Sequence, residues 1–157
     1  MTLPSLRLHS SRTGIAGLLL GAMLGNAPSA HACTCLPAPP PLECAAAATV
    51  VFVGKPVAEF PGEKNAARAR RFEFAVEELL SGTGKETLIV STGKNSASCG
   101  YNFEMGETYL VYAYGEITAL HTHTCTRTSS TRSKRVTDEV ILLREAKLTK
   151  PGASASK

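Results

Sequence analysis

Residues 33–41 read Cys33-Thr34-Cys35-Leu36-Pro37-Ala38-Pro39-Pro40-Pro41, two cysteines one residue apart followed by a proline run. Disulfide geometry needs suitably placed Cα atoms and converging Cβ vectors, so neighbours this close pair poorly with each other. Each therefore needs a distant partner. The prolines hold the segment extended and remove backbone donors. A stiff strap fixed at two points is the expectation, and the rest of the chain has to supply the fixing points.

Upstream of the strap, residues 1–32 have the layout of a secretory leader. Arg7 and Arg12 give a positive start, Ile15 to Leu24 is apolar, and Ala30-His31-Ala32 fits the small-x-small cleavage rule. The apolar run is shorter than the ~20 residues that span a bilayer, and no later stretch offers a span. Cleavage after Ala32 makes Cys33 the first residue, with a free α-amino group. A lipidated Cys33 is the alternative, although Ala30 and His31 suit a lipidation box badly. Export to the periplasm or the extracellular space follows from this reading.

The full chain has 157 residues with 17 Lys+Arg against 13 Asp+Glu. Arg7 and Arg12 leave with the leader, so the remainder is only weakly basic and gives no reason to expect nucleic acid. All five cysteines, Cys33, Cys35, Cys44, Cys99 and Cys125, lie beyond residue 32. In a small exported domain they read as a disulfide framework. Five is odd, so one thiol is left over or pairs between chains.

Downstream, Leu42 to Thr49 is alanine-rich and reads as a short helical turn. Val50 to Gly54 is an apolar, β-branched run of the kind found in buried strands, punctuated by Pro56 and Pro61-Gly62. Glu63 to Ala67 reads as an exposed loop. Arg71 to Leu80 alternates, with Phe72, Phe74 and Val76 on one face, which predicts a half-buried antiparallel strand. Further strands are expected at Thr87–Ser91, Thr108–Tyr114 and Ile117–Cys125. Thr126 to Lys134 is polar and reads as a loop. A helix over Asp138–Lys147, capped by Thr137, has Val140, Ile141 and Leu143 among its apolar positions. Five strands and one or two helices predict a mainly β fold, a small antiparallel barrel over residues 33–148 with a disordered tail at 149–157.

The order of these features resembles the tissue inhibitors of metalloproteinases, whose inhibitory part is a netrin-like module. The resemblance rests on Cys33-Thr34-Cys35-x-Pro37 at a cleavage site, Cys44 nine residues on, Ser98-Cys99-Gly100, Tyr109-Leu110-Val111 and Cys125. It implies a five-stranded OB-type barrel with flanking helices. It further implies the pairs Cys33–Cys99 and Cys35–Cys125. The family's partner for the cysteine matching Cys44 is missing, as is the second, cysteine-rich domain of the vertebrate inhibitors, so Cys44 is left as the free thiol.

In that family the first cysteine's amine and carbonyl chelate the catalytic zinc of the target protease. By resemblance this role falls to Cys33, with Thr34 entering the pocket beside the metal. Leu36 and Pro37 extend the contact, and Ala97 and Ser98 form the neighbouring ridge. The protein then needs no cofactor of its own, acts as a monomer, and has a zinc metalloprotease as partner. A netrin-like binding or structural module without inhibitory activity is the alternative.

A third reading places His121, His123 and Cys125 on one strand face as metal ligands, although a bonded Cys125 has no thiolate to offer. The basic runs Arg68-Ala69-Arg70-Arg71 and Arg132-Ser133-Lys134-Arg135 suit an anionic surface or are simply solvated. No nucleophile elbow, zincin helix or phosphate loop appears, which argues against an enzyme.

Overall fold

The first half of strand β1 (Val50–Pro61) and the whole of strand β4 (Tyr109–Ala113) are buried on both faces, and the architecture follows from that. Alternate side chains of a strand point to opposite sides of the sheet. Val50 and Phe52 of β1, with Tyr109, Val111 and Ala113 of β4, enter one core cluster. Val51 and Val53, with Leu110 and Tyr112, enter a second cluster on the other side. The unbroken apolar runs in the sequence are thus two half-cores sharing one backbone.

The computed structural model describes residues 33–62 and 70–149. The expected leader at 1–32, the expected loop at Glu63–Ala67, Arg68, Ala69 and residues 150–157 of the expected tail lie outside the described residues. The remaining elements are β2 (Arg70–Gly82), β3 (Thr87–Thr92), β5 (Leu120–His121), β6 (Ser129–Ser130), α1 (Pro41–Ala47) and α2 (Lys134–Thr149). The fold is mainly β, one sheet in the order β5-β3-β2-β1-β4-β6 with two helices. Five strands run antiparallel, β3-β2-β1-β4-β6, and β5 joins β3 in parallel. An isolated bridge links Tyr114, just past β4, to His121 of β5, with N–H···O bonds of 2.9 Å in both directions. Among the described residues no helix is long and apolar enough to cross a membrane.

The first cluster is built around an aromatic group. Phe74 meets Phe52 and Phe103 edge-on at 5.5 and 5.0 Å between ring centroids, and Phe103 meets Tyr109 at 5.0 Å. Such edge-to-face pairs add about 0.5–1.5 kcal/mol each beyond their burial. Helices α1 and α2 cover the second cluster through Cys44, Ala45, Val136, Val140 and Leu143.

Several boundaries differ from the sequence reading. Strand β1 runs on through Pro56 to Pro61 along β2. Pro56 is tolerated because its backbone faces the other edge, where pairing with β4 ends at Gly54 and the Pro56 carbonyl accepts from the Gly106 amide at 3.2 Å. Gly54 permits a register shift against β2: a Cβ there would sit 2.6 Å from the Ala75 carbonyl oxygen. The expected strand Ile117–Cys125 shrinks to Leu120–His121, and the antiparallel strand beside β4 is Ser129–Ser130 instead. Helix α2 starts at Lys134 rather than Asp138, extends to Thr149, and leaves Ile141 exposed.

Removing the central ring should be costly. Phe74→Ala leaves a cavity where a fully buried phenyl group stood, and we expect a loss of about 3–5 kcal/mol in urea unfolding. A loss under about 1 kcal/mol would mean that the cluster does not pack as described.

Candidate functional site

The strap from Cys33 to Pro40 lies across two loops, and each loop is organised to receive one cysteine. The first runs from Gly93 to Gly100 around a short 3-10 turn, Ser96–Ser98. Asn95 accepts from the Ser98 amide at 3.2 Å, and its own amide donates to the Ser98 hydroxyl at 3.1 Å. This reciprocal cap ends in Cys99, which has a left-handed backbone (φ 55°). Gly93 and Gly100 close the loop's base, where a Cβ on Gly100 would collide with the Gly93 carbonyl.

The second loop spans Thr122 to Thr128. Buried Thr122 and Thr128 join their hydroxyls at 2.8 Å, and Thr126 joins Thr122 at 2.9 Å. The Tyr112 amide donates to the Thr128 hydroxyl at 3.0 Å, which ties the loop to β4. The two loops also meet directly, the Thr124 amide donating to the Cys99 carbonyl at 3.0 Å.

Onto this base the strap is bonded twice, Cys33–Cys99 and Cys35–Cys125, with Cα atoms 5.5 and 5.1 Å apart. The sequence separations are 66 and 90 residues. On the chain-entropy model each bond contributes about 4–5 kcal/mol, comparable with a domain's whole net stability of ~5–15. Thr34, Leu36, Pro37, Ala97 and Ser98 are all exposed, Leu36 to 85%. The Cys33–Cys99 bond brings the Ala97–Ser98 turn beside the start of the strap.

Cys44 is the free thiol and is buried. Burial pushes its thiol above the ordinary range, more than the Arg127 charge draws it down, so it remains protonated. It faces a cavity of about 520 Å³ together with His121, His123, Tyr114, Cys125 and Arg127. His123 and Cys125 lie in the turn after β5 rather than on its strand face, and Cys125 is spent in a disulfide. Among the described residues, no group of three or more His, Cys, Asp or Glu side chains is arranged to hold a metal ion. The second basic run is engaged internally: Arg132 pairs with Glu107, Lys134 with Asp138 at 2.8 Å, and Arg135 approaches Glu139 at 3.7 Å.

The sequence reading passed over a buried ionic cluster beneath the strap. Glu139 of α2 accepts from the Tyr112 hydroxyl at 2.7 Å and from Arg127 twice, Nε at 2.8 Å and Nη2 at 2.5 Å. A signal was present. Glu139 falls at helical spacing with Val136, Val140 and Leu143, so an acid sits on the apolar face and must have a partner. Arg127 lies in a polar stretch that gives no hint of which carboxylate it serves.

No family model matches the chain, and no curated protein matches it.

The cluster sets a pH dependence. Burial raises the Glu139 carboxyl's affinity for protons, but the hydrogen bonds from Arg127 and Tyr112 and the charge of Arg127 outweigh it. The net result lies below the ordinary value of 4.5. A carboxyl depressed in the folded state stabilises above its unfolded value, and that stability is lost as pH falls through the folded one. Urea midpoints from pH 7 to pH 3 should therefore fall more steeply for wild type than for Glu139→Gln. The variant should already be about 3 kcal/mol weaker at pH 7, where Arg127 lacks its counter-charge. Parallel pH curves would remove Glu139 from the acid limb.

Proposed function

We propose that this chain is an exported protein inhibitor of zinc metalloproteases, a single netrin-like domain of the kind found in the tissue inhibitors. The exposed strap held by Cys33–Cys99 and Cys35–Cys125 carries the proposal. A terminus fixed on a folded base loses little freedom on binding, and preorganisation of this sort is what converts contacts into affinity. The proposal includes cleavage after Ala32, which frees the Cys33 amine. It also includes closure of the sheet into an OB-type barrel, supported by the Tyr114–His121 bridge and the parallel β3–β5 pair.

A catalytic zinc has three protein ligands and an open position. The Cys33 amine and carbonyl oxygen enter that position together and displace the metal-bound water, so the protease loses its nucleophile. Thr34 follows into the pocket beside the zinc. Leu36 and Pro37 run along the cleft, and Ala97 and Ser98 form a second contact line next to Cys99. The bonded cysteines hold the geometry and contribute no thiolate to the metal.

The test compares three forms against a panel of zinc metalloproteases: the domain beginning at Cys33, the same domain retaining Ala32, and Thr34→Gly. The first form inhibits and the second does not, because the added residue turns the Cys33 nitrogen into a peptide amide, which is a poor donor, and crowds the open site. Thr34→Gly weakens inhibition about five- to thirtyfold, the effect of emptying a side-chain pocket by 1–2 kcal/mol. Binding needs an unprotonated amine whose reference pKa is about 8, so inhibition weakens as pH falls below that value once the protease's own profile is divided out. Equal inhibition by the extended form would rule out terminal chelation.

A further inference from the structure

The strap has a third attachment point, and the proline run explains why it takes the form it does. Pro37, Pro39 and Pro40 have no amide hydrogen, so at those positions the backbone can be held only through its carbonyls. The Pro40 carbonyl accepts from the Cys44 amide at 3.1 Å and thereby opens α1. The Pro39 carbonyl accepts from Arg127 Nη1 at 3.0 Å, with the Cys44 thiol 3.4 Å away as a weak second donor. Arg127 stands two residues after Cys125, so one loop grips the strap covalently at Cys35 and through a cationic donor at Pro39. The guanidinium cannot swing away, because its Nε and Nη2 are committed to Glu139, itself fixed by the Tyr112 hydroxyl. Helix α2 and strand β4 are thus coupled through one side chain to the segment that carries Leu36 and Pro37.

We propose that Arg127 is the positioning residue that holds the Leu36–Pro39 half of the strap in its binding conformation. The disulfides fix only Cys33 and Cys35, and beyond Cys35 the chain is exposed as far as Pro40. Arg127 closes that gap from below without touching the partner. The inference rests on the inhibitor reading for its functional consequence, and on the hydrogen-bond geometry alone for its structural one. A lysine can keep an ion pair with Glu139, yet lacks the planar fork that serves a carboxylate and a carbonyl together.

Arg127→Lys is therefore the informative variant, measured by ¹⁵N relaxation at the Leu36 and Ala38 amides and by inhibition constants. The expected result is greater fast mobility at both amides and inhibition weakened about two- to tenfold, the ordering cost of a few freed groups. Arg144→Lys, which alters a more exposed pair between α2 and Glu78 of β2, should change neither quantity. Unchanged amide relaxation in a folded Arg127→Lys protein overturns the proposal. Should that variant fail to fold, a through-hydrogen-bond coupling between Arg127 Nη1 and the Pro39 carbonyl carbon in wild type decides it, and an absent coupling refutes it. If wild type inhibits no protease, the inhibitor reading fails, and the relaxation data alone still decide whether Arg127 holds the strap.

Discussion

Two disulfides one residue apart at the strap bind it to two loops that are far apart in sequence and adjacent in space. That double bond to separate loops constrains most of what surrounds it. The Cys99 loop needs a glycine at each end and a left-handed cysteine to present its sulfur. The Cys125 loop needs its threonine hydroxyls to hold a turn where a strand would otherwise continue. The sheet edges beneath must then place the two loops side by side, which the Thr124–Cys99 hydrogen bond records.

How far these features could be read from the residues depends on the range of the interaction behind them. Period-two alternation in β2 is local, and Phe72 and Phe74 point into the core as the pattern implies. The apolar run at Val50–Val53 correctly signals a strand buried on both sides. The continuation of β1 through Pro56 is not legible locally, because pairing with distant β2 on one edge decides it. The truncation of the fifth expected strand has the same origin. His121 to Cys125 suits a strand by composition, but the bond to Cys35 and the threonine contacts turn the chain there.

At the site, the bonds Cys33–Cys99 and Cys35–Cys125 and the free Cys44 are those that the resemblance implied, and spacing alone did not single them out. The ionic cluster was half legible. An acid on an apolar helix face announces a buried partner, but Arg127 and Tyr112 reach Glu139 only through tertiary packing. A buried ion pair is weak evidence for stability, since desolvation consumes much of its attraction. Its value here is geometric: it aims the third guanidinium nitrogen at a carbonyl of the strap.

In the proposed inhibition, Cys33 approaches a protease's zinc through its own amine and carbonyl. A metalloprotease whose zinc is replaced by cobalt reports its coordination in the visible absorption spectrum. Adding the domain that begins at Cys33 should shift that spectrum from a four-coordinate to a five-coordinate pattern as one water gives way to two donors. The form retaining Ala32 should leave it unchanged. Inhibition by the Cys33 form with no change in the cobalt spectrum would contradict the account, because the strap would then be binding away from the metal.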